Sequence, residues 1–517
     1  MTTGNPPLQT FSCHCTSVNS TGGTLVSSHP FIHPSLLHCF LHPSLVPTLL
    51  LFEAPYFIFL SGFYIRLCDI FKRLPLSAAQ SPSTLESRLK GLECHFTWDL
   101  DSSPSRLIRS RDELEDIGTD EGNLWLGHVY NLQGFICYKL GDEEKARRFL
   151  SQATEAFRRL KNTDEGPWLV VNFGNLAWLH HLLGEDKQSE DYLSKVDALL
   201  REHPSPSQDE LHPEICAEKA WTLMKFDKDK KQLAADYFQK AIEMQPDMVH
   251  WRTSRVIGRV SAQKHSDTDL DQDIWEEMGE AREQDPDDSY LAAVELLIKA
   301  KKGEQVNDEA HELEEKIILN PVSSYSGIKV LLRVYRQLDD IDQAINLAEK
   351  VLKDYPDNRY LKRCAALCYK WRIVFFRDGR PNPSRSMMER AISLHEQMIP
   401  LYPDSALMKK LDLANLHAKA SGGLQKADRI YQELLRLDLE PADKQLVYNS
   451  YAKYLNFERR DWDRSITYHM KTAEIRLESH AKQNSIRALK KISERGRNKR
   501  CREIQMFLET LPEDQLE

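Results

Sequence analysis

The chain has 517 residues, 41% of them hydrophobic and 28% charged, which is apolar material enough for roughly two to four domains or one long array of repeats. With only 21 Gly and 24 Pro it is neither collagenous nor low in complexity. A net charge of −9 excludes a globally basic surface, so any nucleic-acid contact must come from a local cationic patch.

The first 76 residues differ from the rest. Residues 1–65 hold no Lys or Arg and a single acid, Glu53, and Leu45 to Leu67 is apolar over a length that could span a bilayer. Pro47, Glu53 and Pro55 interrupt that stretch, and its first positive charge, Arg66, follows the apolar core, where a secretory signal would precede it. Residues 1–76 therefore read as a poorly structured, aberrant leader or as an anchor that leaves the downstream chain in the cytoplasm. The ten cysteines, scattered without CxxC spacing, fit reduced thiols in the cytosol better than a zinc site or disulfides, and no cofactor or metal is expected.

From about Ser83 the text turns charged and helix-rich, with Ser83 or Thr84 placed to cap a first helix and Glu86 in its first turn. A repeat follows: Ala, then a small or apolar residue seven later, then often Pro five beyond. Ala234, Ala241 and Pro246 fit it, as do Ala344, Val351 and Pro356, and Ala391, Met398 and Pro403; at Ala427 and Leu434 the proline is displaced to Pro441. Gly134, Ala146 and Ala153 are the small residues two antiparallel helices need for close approach, and Phe238 and Tyr431 fill the wedge toward the next pair. Gly141, Gly184 and Gly422 mark turns within pairs. Pro286, Pro321 and Pro356 recur every 35 residues, one helix-turn-helix per period. The expected fold is all-α, a right-handed tetratricopeptide-repeat superhelix over residues 77–500 with a concave binding face and a short tail at 501–517. The stretch from Tyr369 to Met388 breaks the period, as an extended helix and Gly/Pro loop or as a device that bends the superhelix over a ligand.

No phosphate loop, zinc helix or nucleophile elbow is present. Asp287-Asp288 and Asp339-Asp340 fall in turns where acids cap helices, and no enzyme is expected. A nucleic-acid end requires a stacking aromatic with cations nearby. Trp221, Met224 and Lys225 share a helix face, with Trp221 also readable as a core residue of a repeat. Arg255 and Arg259 are like charges one turn apart, which a bound anion or divergent rotamers would tolerate. Arg487 to Arg502 carries eight basic residues against Glu494, an exposed helical end or a landing surface for RNA.

The segment LECHFTWDL, Leu92 to Leu100, resembles the CHFTW signature of the interferon-induced proteins with tetratricopeptide repeats. Tyr130-Asn131-Leu132, Gly174-Asn175-Leu176-Ala177-Trp178, Pro213-Glu214-Ile215-Cys216, Ala366-Leu367-Cys368-Tyr369 and Ser485 to Lys491 follow in family order, so the resemblance covers about residues 84–500. It implies a cytoplasmic, interferon-induced antiviral effector of innate immunity. Such a protein captures the 5′ end of foreign single-stranded RNA, capped without ribose methylation or triphosphorylated, in a central cavity and blocks its translation without catalysis. On this resemblance Trp221 stacks on a cap guanine between Met224 and Ile257, with Trp221→Ala expected to spare folding; Lys225 binds phosphate, and Lys329, Tyr290 and Arg363 line the tunnel. Ser261 stands where the family has a phosphate-binding arginine, which Arg255 or Arg259 would replace; Glu113 stands where it has another, with Arg109 or Arg111 as substitutes. The alternative is a protein-binding scaffold in antiviral signalling, with sister family members or other host proteins as partners.

Overall fold

The computed structural model describes residues 84–118, 123–207, 209–263, 270–374 and 381–511. The leader expected over 1–76, and residues 375–380 of the period-breaking stretch, lie outside the described residues. No strand occurs among the described residues, which form 22 α-helices.

Helices α1 (Leu85–Lys90) and α2 (Pro104–Ile117) precede ten hairpins. These pair α3 (Leu126–Lys139) with α4 (Glu143–Lys161), α5 (Val170–Leu182) with α6 (Asp186–Glu202), and α7 (Pro213–Leu223) with α8 (Lys228–Met244). Next come α9 (Val249–Gln263) with α10 (Gln272–Gln284), α11 (Ser289–Lys301) with α12 (Asn307–Ile317), and α13 (Ile328–Gln337) with α14 (Ile341–Asp354). Then follow α15 (Arg359–Val374) with α16 (Arg385–Leu401) and α17 (Ala406–Lys419) with α18 (Leu424–Leu435). The last are α19 (Pro441–Tyr454) with α20 (Trp462–Glu474) and α21 (His480–Glu494) with α22 (Cys501–Glu509). The result is an all-α tetratricopeptide-type solenoid. None of the described helices is long and apolar enough to cross a membrane.

The small residues of the repeat do what their size dictates. Ala146, Ala153, Ala234, Ala241, Ala344, Ala391 and Ala427 are all fully buried, and a Cβ added at Gly134 would sit 2.6 Å from the Leu150 side chain. Gly141, Gly184 and Gly422 take the left-handed conformation that turns each hairpin. The acids in the turns are caps: Asp288 accepts from the Leu291 amide at 2.8 Å and Asp340 from that of Gln343 at 3.0 Å. Thr84 caps α1. Pro441 does not terminate a helix; it opens α19, where its missing N–H costs nothing. In the stretch read as a tail, α22 continues the pairing and buries Ile504 against Ile466 and Leu489.

The CHFTW signature is a clasp between hairpins. The buried His95 binds Asn175 through Nδ1 and Thr222 through Nε2, each at 3.0 Å, and burial lowers its pKa to about 3, so the ring is neutral. Phe96 stacks on Trp178, and a Cβ at Gly174 would lie 3.1 Å from Cys94 Cβ. The two signature segments thus touch, and each limits the size of the other.

Candidate functional site

Helix α2 begins at Pro104 after Ser103 and buries Leu107, Leu114 and Ile117, together with Asp112 and Asp116. Two buried acids on one face need partners, and they find them far along the chain. Asp116 lies 2.5 Å from Arg363 and 3.2 Å from Arg359 and accepts from the Tyr402 hydroxyl at 2.8 Å, while its backbone carbonyl accepts from the Ser324 amide. Asp112 accepts from the Ser405 hydroxyl and pairs with Arg359 at 3.5 Å. Nearer the other end of α2, Arg106 donates to the Lys225 carbonyl at 2.6 Å and lies over the Phe226 ring. Helix α2 is therefore a strut between an early hairpin and the α15–α17 region.

We expect Asp116→Ala to lower the unfolding free energy by about 3 kcal/mol, because it strips a half-buried arginine pair of its shared carboxylate. Asp116→Asn, which keeps the acceptor for Tyr402, should cost less. Chemical denaturation of both variants checks this; a loss no larger than for a surface substitution would mean that the strut does not depend on the pair.

Beside this latch Glu113 projects from the same helix and is exposed, yet its charge acts on Lys231 of α8, Tyr290 of α11, Lys329 of α13 and Arg363 of α15. The exposed Glu113 and the partly exposed Lys231, Tyr290, Lys329 and Arg363 of four other helices thus lie within electrostatic reach of one another, a cluster we call the hollow. Its wall is cationic. Lys329 and Arg333 stand one turn apart on α13, and neither has a carboxylate partner among the described residues. Burial first, and Arg363 second, lower the Lys329 pKa to about 8. Lys231 donates to the Ser261 hydroxyl at 2.9 Å, and burial lowers its pKa too, with Arg106 and Lys225 contributing. Lys225 donates to the Tyr325 hydroxyl at 3.0 Å.

The residues expected from the sequence divide into two groups. Lys225, Tyr290, Lys329 and Arg363 gather around this hollow. Tyr290 meets Tyr325 edge-on at 6.3 Å, and Arg363 is already paired with Asp116. Trp221 is 2% exposed; Trp125 stacks on it at 5.9 Å, the Lys225 ammonium lies 4.4 Å from its centroid, and its Nε1 donates to Tyr325 at 3.1 Å. At 2% exposure Trp221 is packed as a core residue in this structure. Met224 packs toward Gly258, and Ile257 lies against Val256, Met278 and Leu291, both as part of the packing. Arg255 and Arg259 are not waiting for phosphate: Glu277 of α10 pairs with both and Asp273 with Arg259 at 2.5 Å, so protein carboxylates fill the role assigned to a bound anion. Arg111 is paired with Asp404 at 2.5 Å, and the exposed Arg109 donates back to the Ser105 carbonyl of its own helix.

Sequence reasoning missed Tyr325 and Arg333. Arg333 was visible as the residue four beyond Lys329. Tyr325 lies in a bend outside the repeat period, held down where Gly327, at φ +84, brings its backbone so close to α11 that a Cβ would meet the Ser289 carbonyl at 2.7 Å.

The tetratricopeptide repeat family matches residues 127–159, which is the α3–α4 hairpin. The antiviral innate immune response effector IFIT1 of Macaca fascicularis is 25% identical over 423 residues, 79% of this chain and 87% of that protein. Human interferon-induced protein with tetratricopeptide repeats 2 is 25% identical over 446 residues, 83% of this chain and 93% of that protein. Among solved structures, a monomeric mutant of IFIT1 with Gppp-AAAA superposes with a TM-score of 0.60 at 23% identity, covering 80% of this chain and 91% of that one. The human IFIT1 dimer with PPP-AAAA gives 0.55 at 23% identity, covering 80% of this chain and 90% of that one. The homologues of this chain are thus members of the family of interferon-induced proteins with tetratricopeptide repeats, and it shares their all-α solenoid fold.

Proposed function

We propose that the chain is an antiviral, non-catalytic RNA-binding protein of the cytoplasm that takes the 5′ end of single-stranded RNA into the hollow beside α2 and withholds it from translation. Relatives solved with capped and with triphosphate RNA support the class of ligand. The observation that carries the reading is the Lys329–Arg333 pair: two cations one turn apart on a half-buried face, neither in an ion pair among the described residues, with Lys225 and Lys231 also near and Glu113 acting on Lys329 and Lys231 without pairing to them. Such a cluster, in which cations outnumber the Glu113 carboxylate, gains from an entering anion. Because Trp221 is 2% exposed, with Trp125 stacked on it and the Lys225 ammonium over its ring, a 5′-triphosphate fits this arrangement better than a cap that would need the indole.

Equilibrium binding of matched 5′-triphosphate, capped and 5′-hydroxyl oligonucleotides tests the proposal, and equal affinity for all three would reject it. Lys329→Ala combined with Arg333→Ala should weaken triphosphate binding about 10-fold or more and reduce the salt slope by about 0.7 for each phosphate no longer neutralised. Since free Lys329 titrates near 8, wild-type affinity should fall as pH rises from 7 to 9. Lys329→Arg should flatten that fall.

A further inference from the structure

A second site lies far along the chain from the α13 cations, where the turn before α20 meets the turn between α21 and α22. Leu455–Arg459 forms a π-helical turn, and Arg460 follows with φ +56, a conformation that a non-glycine residue occupies only at a cost. These turns border a groove of about 630 Å³ lined by Arg460, Trp462, Arg497, Asn498 and Lys499 among others. Trp462 is 59% exposed, and Phe457, in the adjoining π-helical turn, is 70% exposed.

The charges do not cancel. Of the groove's two acids, Asp461 accepts from the Arg464 amide as the cap of α20, and Asp463 pairs with Lys499 at 2.9 Å. Arg459 lies 3.7 Å from Asp428. The guanidiniums of Arg460 and Arg497 are exposed and make no ion pair or hydrogen bond among the described residues. A flat aromatic surface flanked by two unpaired guanidiniums is the chemistry that holds a base by stacking and its neighbouring phosphates by charge, without reading sequence. The basic turn from Arg495 to Arg502 extends the same field.

We propose that this groove binds the body of single-stranded RNA, with a base on Trp462 and phosphates at Arg460 and Arg497, independently of the 5′ terminus. The proposal rests on the reading that the chain binds single-stranded RNA, but it needs no end recognition.

A labelled 5′-hydroxyl oligouridine of twelve nucleotides is the probe, with fluorescence anisotropy at low and moderate salt. Trp462→Ala is expected to weaken it about 5-fold or more, and Arg460→Gly with Arg497→Ser about 10-fold, with a salt slope shallower by about 1.4. All three positions are exposed, and glycine relieves the backbone at Arg460, so melting temperatures should be unchanged or higher. The variants should keep the wild-type ratio of triphosphate to hydroxyl affinity. Unchanged oligouridine binding in both variants would overturn the proposal, as would failure of the wild type to bind it, or a polyglutamate peptide displacing it and losing affinity with the same substitutions. Loss of the triphosphate preference in the wild type would instead count against the end-binding hollow and leave the groove standing.

Discussion

Truncating Trp221 to alanine is expected to destabilise the protein by about 3–5 kcal/mol, as for other fully enclosed tryptophans. The indole stacks with Trp125, lies under the Lys225 ammonium, touches His128, and donates to Tyr325. Removing it opens a void in the first core and releases the hydroxyl that also holds Lys225. The loss should therefore reach the hollow as well, with weaker binding of triphosphate and capped ends alike. Denaturant titration and binding of the two ends, run on Trp221→Ala and Trp221→Phe, separate the possibilities. A variant of wild-type stability that had lost only capped RNA would restore the stacking role inferred from the family resemblance.

A second large effect should follow pH. Glu218 is 1% exposed and accepts from Asn131 at 2.7 Å; Asn131 in turn accepts from Asn172, which accepts from Thr154. Burial pushes the Glu218 carboxyl up to about 8, the Asn131 bond pulling back and Glu214 adding to the rise. A carboxyl whose folded pKa is raised binds its proton more tightly in the native state. Its stabilising contribution is therefore complete below the unfolded value, near 4.5, and is lost as pH climbs to about 8. The slope in that window is roughly 1.4 kcal/mol per pH unit, a few kcal/mol in all. Glu218→Gln keeps an acceptor for Asn131 and cannot ionise. Relative to wild type it should gain stability steadily from pH 5 to pH 8. Parallel unfolding profiles across that range would show that Glu218 is not the titrating group.

The hairpins were legible because their rule is local: Ala234 and Ala241, or Ala344 and Val351, are small or apolar at the spacing where two helices must touch. The signature at Cys94–Trp98 was legible only as a resemblance. Its physical reason, the contact of Cys94 with Gly174 and of His95 with Asn175 and Thr222, depends on residues roughly 80 and 130 positions away. Lys225 and Lys329 could be picked out, but whether a cation is free depends on which acid the fold delivers to it. Glu277 neutralises Arg255 and Arg259, and Asp116 neutralises Arg363, while Lys329 and Arg333 receive no such partner. Nothing in the order of residues announces that difference, just as nothing in it announces that Trp125 covers Trp221.

The strut formed by α2 also constrains the order of folding. Each hairpin can dock on its predecessor as soon as it leaves the ribosome. The partners of Asp112 and Asp116 at Tyr402 and Ser405, by contrast, are synthesised nearly 300 residues after them. At about 5–20 residues per second, α2 must wait on the order of 12–50 s for Arg359 and Arg363 and on the order of 15–60 s for Tyr402 and Ser405. The latch of α2 is consequently completed late in synthesis, so a nascent chain that stalls before α15 would carry six of its ten hairpins and an unlatched α2.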